Sequence, residues 1–293
     1  MRSPSSDSGA PAPGWAPRSV LARRAGPLAR VEDRVAQETP IALIYNGEPH
    51  AVMMATPRDL EDFARGFSLS EGVIETLAEV QALDVIPLGF DPPREGYEIR
   101  LRIPPARHES LRARRRSLAG RTGCGLCGAE SIAEALRAPR RVPAGERVTG
   151  AALARALAEL RRCQPLNAAT GATHAAAWAT ADGRLRCVRE DVGRHNALDK
   201  LIGALYAAGA DTARGFCVVT SRASYEMALK AAMAGMPMLA AISAPTDYAI
   251  AVAEAAGLTL VGFARGEDHV IYACPARIAD GASAPVTEGA VAA

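Results

Sequence analysis

"FCVVTSRASYEMALKAAMAGMPMLAAIS" spans residues 216–243 and decides the fold class. Two short apolar runs, at residues 216–220 and 238–243, enclose an amphipathic segment at residues 224–234, which is the pattern of a strand, a helix and a second strand. The alternation continues on both sides, with a helix predicted at residues 196–206, then a helix at 246–256 and strands at 258–263 and 269–273. Because alternating strands and helices form a sheet layered with helices, the sequence predicts an α/β fold.

The chain divides into four predicted parts. Residues 1–37 are rich in proline and small residues and show no periodicity, which favours a disordered tail. We expect a smaller lobe of helices and strands at residues 38–138, a larger α/β lobe at 146–278, and a flexible tail at 279–293. Within the smaller lobe, Thr56 precedes an amphipathic segment and is predicted to be the N-cap of its helix.

The composition argues against several classes of protein. The 34 basic and 32 acidic residues leave a net charge of +2, so no global field favours nucleic acid. Without an apolar run of 18 residues or an apolar signal-peptide core, we expect no membrane span and a cytoplasmic location with reduced cysteines. Residues 100–121 are locally basic, with eight arginines and a single acid, which favours a local anion site.

The stretch "TGCGLCG" at residues 122–128 sets Cys124 and Cys127 in a glycine-rich loop. A structural zinc site needs four ligands, and the other cysteines are isolated, so no metal ligand is predicted. A redox dithiol usually opens a helix directly after a strand, whereas this pair follows an arginine-rich helix candidate. Incidental loop cysteines are a third interpretation. The fourth is a nucleophile, because Arg121 and the positive end of a helix predicted to begin at Glu130 favour thiolate.

A candidate anion site follows a hairpin that is predicted at residues 173–188, within the larger lobe. Gly193, Arg194 and His195 come just before a predicted helix, where main-chain amides and basic side chains can bind phosphate. The alternative is that Asp191 simply caps this helix.

A second candidate follows the strand predicted at residues 216–220. Ligands of α/β sheets bind beyond the carboxyl ends of the strands, so Ser221 and Arg222 are candidate anion ligands. The alternative is an ordinary helix cap with a surface arginine. Taken alone, His174 is expected to be a core histidine, and Lys200 is expected to be a solvated lysine on a helix.

Five motifs together resemble the formate dehydrogenase accessory sulfurtransferases. In chain order they are "GRTGCGLCG" (residues 120–128), "THAAAW" (173–178), "EDVGRHNALDK" (190–200), "TSRASYEM" (220–227) and "LVGFARGEDHVIYACPARI" (260–278). The resemblance covers about residues 40–278. It implies a cytidine-deaminase-like layered sheet with a smaller N-terminal α+β lobe, without the zinc chemistry of deaminases, and it implies a homodimer.

The resemblance also implies a function. A cysteine desulfurase would load a persulfide onto Cys124, with Cys127 as its partner thiol. The sulfur would pass to the molybdenum bis(molybdopterin guanine dinucleotide) cofactor, which then enters the catalytic subunit of formate dehydrogenase. A second hypothesis is a cofactor-binding chaperone whose cysteines are dispensable.

The resemblance places the cofactor-binding segment near the C-terminus. Many members of the family have Gly-Arg where this chain has Glu267 and Asp268, so fewer side-chain contacts to phosphate are expected here. The corresponding residues are Phe263, Ala264, Arg265, Gly266, Glu267 and Asp268.

Overall fold

The computed structural model of the protein describes residues 14–23, 26–89, 95–116 and 137–279, with the main chain alone at residues 115 and 116. The strands in these ranges are β1 Trp15–Ala22, β2 Ala29–Ala36, β3 Thr39–Tyr45, β4 Glu48–Ala55, β5 Ala82–Gly89, β6 Glu95–Arg102, β7 His174–Ala179, β8 Leu185–Asp191, β9 Phe216–Val219, β10 Met238–Ala241, β11 Thr259–Arg265 and β12 Asp268–Ala273. The α-helices there are α1 Leu60–Ser70, α2 Pro105–Arg116, α3 Gly150–Arg162, α4 Pro165–Thr170, α5 Arg194–Ala207, α6 Tyr225–Met233 and α7 Asp247–Ala256.

The α/β prediction is confirmed by a six-stranded sheet in the order β12-β11-β10-β9-β7-β8. Strands β9, β10 and β11 are parallel to one another, and the remaining pairs are antiparallel. Successive residues of these strands face opposite sides. One side packs under α3 and the other under α5, α6 and α7, so both faces of the sheet are buried. Among the described residues, no helix is long and apolar enough to cross a membrane.

A second sheet, of four strands in the order β4-β3-β6-β5, belongs to the predicted smaller lobe. Asn46 and Gly47 join β3 to β4 with φ angles of 49° and 85°, the left-handed conformation that such a two-residue hairpin requires. Its inner face packs against α1, with Phe63 and Ile41 fully buried.

The N-terminal part differs from the prediction. Residues 1–37 were expected to be disordered, but β1 and β2 form an antiparallel hairpin within this range. Its base is tied down where Gln37 N–H donates to the Gly14 carbonyl at 2.9 Å, and the Arg34 guanidinium lies 4.8 Å from the Trp15 ring centroid. Most of the hairpin's side chains are exposed or half-buried, so the sequence has no strong apolar alternation to signal it.

The two predicted lobes meet along α1 and α5, which cross at two glycines. A Cβ added to Gly66 would lie 1.7 Å from the Asp199 carbonyl oxygen, and one added to Gly203 would lie 1.9 Å from the Asp62 carbonyl oxygen. The two main chains are therefore in direct contact, and a single apolar cluster contains residues of both sheets. At the C-terminus, Ala279 N–H donates to the Val148 carbonyl, and the rest of the tail predicted at 279–293 lies outside the described residues.

Candidate functional site

Several predicted site residues lie at one edge of the six-stranded sheet, which we call the carboxyl edge because β8, β9 and β10 end there. Thr220 continues β9 and pairs with Ala175 at the start of β7, through Ala175 N–H to Thr220 Oγ1 at 2.9 Å and Thr220 N–H to the Ala175 carbonyl at 3.0 Å. His174 pairs in register with Asp191 at the end of β8. The sheet therefore brings together two sequence motifs that are about 30 residues apart, with their predicted ligands Gly193, Arg194, His195, Ser221 and Arg222.

Asp191 is the centre of a buried polar network rather than a simple helix cap. Its Oδ2 lies 2.6 Å from Lys200 Nζ, and both side chains are fully buried. Asp191 also accepts from Thr56 N–H at 3.0 Å, Gly193 N–H at 2.8 Å and Asn196 Nδ2 at 3.0 Å. The expectation of a solvated Lys200 is wrong, because its ammonium group neutralises a carboxylate that the rest of the network has removed from water.

Thr56 is held by this network and does not cap a helix as predicted. Its carbonyl accepts from Lys200 Nζ at 2.9 Å, and its hydroxyl accepts from Val192 N–H at 3.2 Å. Helix α1 begins four residues later, at Leu60, and its N-cap residue is Asp59. The network thus joins the two lobes, and it also occupies the main-chain amides of Val192 and Gly193, which cannot bind a phosphate without breaking these bonds.

Arg194 and His195 are the members of this motif that face the carboxyl edge. The Nε of Arg194 is buried and has no hydrogen-bond partner among the described residues. His195 Nε2 lies 2.8 Å from Glu226 Oε2 in the first turn of α6, and this contact outweighs burial and lowers the pKa of Glu226. His174 is only half-buried at the same edge, where burial and the charges of Arg194 and His195 lower its pKa.

The second predicted motif supplies one buried and one exposed residue. Ser221 is 4% exposed, and its hydroxyl donates to the Arg222 carbonyl at 3.0 Å, while the Arg222 side chain is exposed. Ser224, which was not among the predicted site residues, is the N-cap of α6. Its Oγ is buried without a hydrogen-bond partner among the described residues. A serine between a predicted strand and a predicted helix often caps the helix, so this position could have indicated Ser224 from the sequence.

The segment at residues 263–268 is the end of β11 and its turn into β12. Phe263 has a φ of 51° at a bulge in β11, and the ring is turned outward with the residue 43% exposed. Its N–H donates to the Ser243 carbonyl at 3.2 Å, which ties the segment to the end of β10 and so to the carboxyl edge. Ala264 packs into the core and offers no side chain to a ligand. The exposed residues beyond it are Arg265, Gly266, Glu267 and Asp268.

The two predicted catalytic residues, Cys124 and Cys127, lie outside the described residues, as does the helix predicted from Glu130. Four other cysteines are described, and all four are free. Burial raises the pKa of both Cys217 and Cys187, so neither is a thiolate at neutral pH. The described residues contain no group of three or more His, Cys, Asp or Glu side chains arranged to hold a metal ion.

Comparisons with known proteins give matches over most of the chain. The model of the FdhD/NarQ family matches residues 36–279. The chain is 55% identical over 278 residues to the sulfur carrier protein FdhD of Xanthomonas euvesicatoria pv. vesicatoria, covering 95% of this chain and 96% of that protein. It is 50% identical over 260 residues to the sulfur carrier protein FdhD of Cupriavidus necator, covering 89% and 88% of the two chains.

A solved structure has the same fold. The crystal structure of a protein assigned as a formate dehydrogenase accessory protein, from Desulfotalea psychrophila, superposes with a TM-score of 0.70 at 25% identity, covering 91% of this chain and all of that one.

Proposed function

Since the chain belongs to the FdhD/NarQ family, we propose that it is a sulfurtransferase that accepts sulfur from a cysteine desulfurase and delivers it to the molybdenum bis(molybdopterin guanine dinucleotide) cofactor of formate dehydrogenase. The observation that carries the proposal is the convergence of anion-binding groups at the carboxyl edge. Arg194 comes from one stretch of the chain and Arg222 and Ser224 from another, and the Arg194 Nε and Ser224 Oγ atoms are buried without a partner among the described residues. Such atoms are costly to bury unless a ligand satisfies them.

The substrate fits these groups chemically. A molybdopterin guanine dinucleotide carries a pyrophosphate, and guanidinium and hydroxyl donors match phosphate oxygens. The exposed Phe263 ring offers a face on which guanine can stack. Glu267 and Asp268 repel phosphate, so we place the pyrophosphate toward Arg194 and Ser224 and the base toward Phe263.

Sulfur transfer would use the two thiols of the "TGCGLCG" stretch. Cys124 thiolate attacks the outer sulfur of the desulfurase persulfide, the sulfur–sulfur bond of that persulfide breaks, and the desulfurase cysteine leaves as thiolate. Cys127 thiolate then attacks the inner sulfur of Cys124 and releases hydrosulfide to the bound cofactor. The two electrons that reduce the sulfur come from the two cysteines, which become a disulfide and need a thiol reductant before the next cycle.

The decisive experiment separates loading from delivery. Incubation with a cysteine desulfurase and cysteine, followed by mass spectrometry without reductant, is expected to add one sulfur atom to Cys124. Cys124→Ala is expected to abolish activation of formate dehydrogenase while binding of the cofactor is retained. Full activation by Cys124→Ala would refute the sulfurtransferase proposal.

A chaperone function is the second candidate, because the described anion-binding groups involve no thiol. In that case the protein only holds the dinucleotide and passes it to the apo-enzyme. A variant lacking both Cys124 and Cys127 that still activates formate dehydrogenase would establish this alternative.

The remaining parts of the proposal concern location, assembly and ancestry. We place the protein in the cytoplasm, where its thiols stay reduced and a desulfurase can reach them. We further propose a homodimer that contacts the catalytic subunit of formate dehydrogenase. Kinship with cytidine deaminases is also part of the proposal, supported by the mixed six-stranded sheet with helices on both faces.

A further inference from the structure

Two arginines that flank the cysteines in sequence bind the same carbonyl oxygen. Arg114 precedes and Arg137 follows residues 117–136, which we call the cysteine segment. Arg114 Nη1 lies 3.4 Å from the Glu71 carbonyl oxygen, and its Nη2 donates to the Gly72 carbonyl at 2.9 Å. Arg137 Nη1 donates to the Glu71 carbonyl at 2.6 Å. The described chain on either side of the cysteine segment is therefore held at the C-terminus of α1, through Arg114 and Arg137.

The charge of this location explains why it binds two guanidinium groups. The carbonyls at the C-terminus of a helix carry a partial negative charge, and the Glu71 carboxylate adds a full one. Glu71 Oε2 lies 2.7 Å from Arg137 Nη2, and Oε1 lies 2.8 Å from Lys230 Nζ. Burial alone would raise the pKa of Glu71, but Lys230 and Arg137 lower it to about 2. Glu71 is therefore anionic at every physiological pH.

The same location adjoins the carboxyl edge. The main-chain N–H of Arg137 donates to Tyr225 Oη at 3.0 Å, and Tyr225 is the first residue of α6. The next residue, Glu226, lies 2.8 Å from His195 Nε2. The return of the chain from the cysteine segment is thus bonded to the helix whose first turn contacts the candidate phosphate ligands.

We infer that Arg114, Arg137 and Glu71, together called the arginine clamp, are positioning residues for sulfur delivery. The clamp holds Arg114, before the cysteine segment, and Arg137, after it, at one place beside the carboxyl edge, and closing a stretch of chain at its base reduces the conformations that it must search. Orientation of reacting groups is a large part of enzymatic rate, and small displacements are costly. The inference rests on the proposed function, since it assumes that Cys124 and Cys127 deliver sulfur to a substrate at this edge.

The test uses the full chain with three substitutions. Arg137→Met removes the guanidinium that binds both the carbonyl and the carboxylate of Glu71, and Arg137→Lys retains its charge. Arg277→Met is the matched control, because Arg277 likewise donates to a carbonyl at a helix C-terminus, that of Gly257 at 2.8 Å, but does not flank the cysteine segment. For each protein, sulfur loaded from desulfurase and cysteine is measured by mass spectrometry. The rate at which the loaded protein activates formate dehydrogenase is measured separately, and the thermal midpoint reports stability.

We expect Arg137→Met to load sulfur to the wild-type extent but to deliver it on the order of 10- to 100-fold more slowly. Arg137→Lys should recover part of that rate. Arg277→Met should lower the thermal midpoint and leave delivery by the loaded protein unchanged.

Three results would overturn the inference. They are wild-type delivery by Arg137→Met, an equal loss of loading and delivery, and an equal delivery defect in Arg277→Met, which would reduce the effect to stability. Failure of the wild-type protein itself to take up sulfur would remove the proposed function and the inference with it. If the wild-type protein takes up sulfur and Arg137→Met delivers it at the wild-type rate, the inference is refuted and the proposed function stands.

Discussion

Replacement of Lys200 by methionine is the most direct test of the network that joins the two lobes. Methionine has a similar length and fits the apolar part of the side chain, so the change removes mainly the charge and its hydrogen bonds. Two interactions are lost, the 2.6 Å contact with Asp191 and the 2.9 Å bond to the Thr56 carbonyl. Asp191 is left as a buried carboxylate without a counterion.

The structure sets the size of the effect. Breaking a buried ion pair by removing one partner costs about 3–5 kcal/mol. Asp191 would keep its three N–H donors, from Thr56, Gly193 and Asn196, so we expect the lower end of that range, about 3 kcal/mol. For a chain of 293 residues, that loss lowers the thermal midpoint by roughly 5 °C.

Urea unfolding, monitored by circular dichroism, measures the loss in the free energy of unfolding. We expect the m-value, which is the slope of that free energy against urea concentration, to stay unchanged. Arg214→Met is the control, because the Arg214–Glu146 pair has side chains that are 73% and 37% exposed, and it should cost less than about 1 kcal/mol. A loss below about 1 kcal/mol for Lys200→Met, similar to that of the control, would refute the argument that this pair holds the lobes together.

Three further predictions concern groups whose environment the structure defines. Lys200 and Lys230 are the only lysines in the sequence and both are buried in ion pairs, so an amine-acylating reagent should leave both unmodified in the native protein and modify both in urea, as peptide mass spectrometry would show. Phe263→Ala should weaken the binding of GDP, used as a probe of the guanine end, by roughly 5- to 150-fold in calorimetry, since base stacking contributes about 1–3 kcal/mol. The pKa of Glu71 is lowered to about 2 from an ordinary 4.5, so its stabilising contribution is full above pH 4.5 and is lost as the pH falls toward 2. The difference in unfolding free energy between wild type and Glu71→Gln should therefore shrink over this range.

Each of these predictions has a result that would contradict it, and the first two also have a control. Native acylation of Lys230 would mean that its ion pairs open without unfolding, and the labelled α-amine confirms that the reagent is active. Val52→Ala removes an exposed apolar side chain from the other sheet and should leave GDP binding unchanged. Equal binding by Phe263→Ala and wild type would exclude stacking on Phe263. A difference between Glu71→Gln and wild type that is independent of pH would exclude titration of Glu71.

The alternation of apolar residues in the larger lobe was sufficient to predict its helices and strands. Strand β9, helix α6, strand β10, helix α7 and strand β11 lie within a residue or a few of their predicted bounds. Each of these elements buries one or both faces against elements that are near it in the sequence. The periodicity of its apolar residues therefore shows which residues are buried. The Asn46-Gly47 turn was predictable for the same local reason, because few residues accept its left-handed angles.

The candidate site was predictable only in part. The sequence identified Arg194, His195 and Arg222 as basic residues beyond strand ends, but Ser224 and the contact of His195 with Glu226 depend on how α6 starts beside α5. The amide of Gly193 was expected to bind phosphate, and the structure shows it bonded to Asp191 instead.

The sequence alone therefore determined the helices and strands of the larger lobe and their buried faces, because these depend on residues close together in the chain. Tertiary structure decided which charges pair. Thr56 and Asp191 are 135 residues apart, and only the direct contact of α1 with α5 places them within 3.0 Å. Lys200 looks like any helical lysine until that contact removes Asp191 from water, because the free energy of a charge depends on its distant neighbours and not on its own helix.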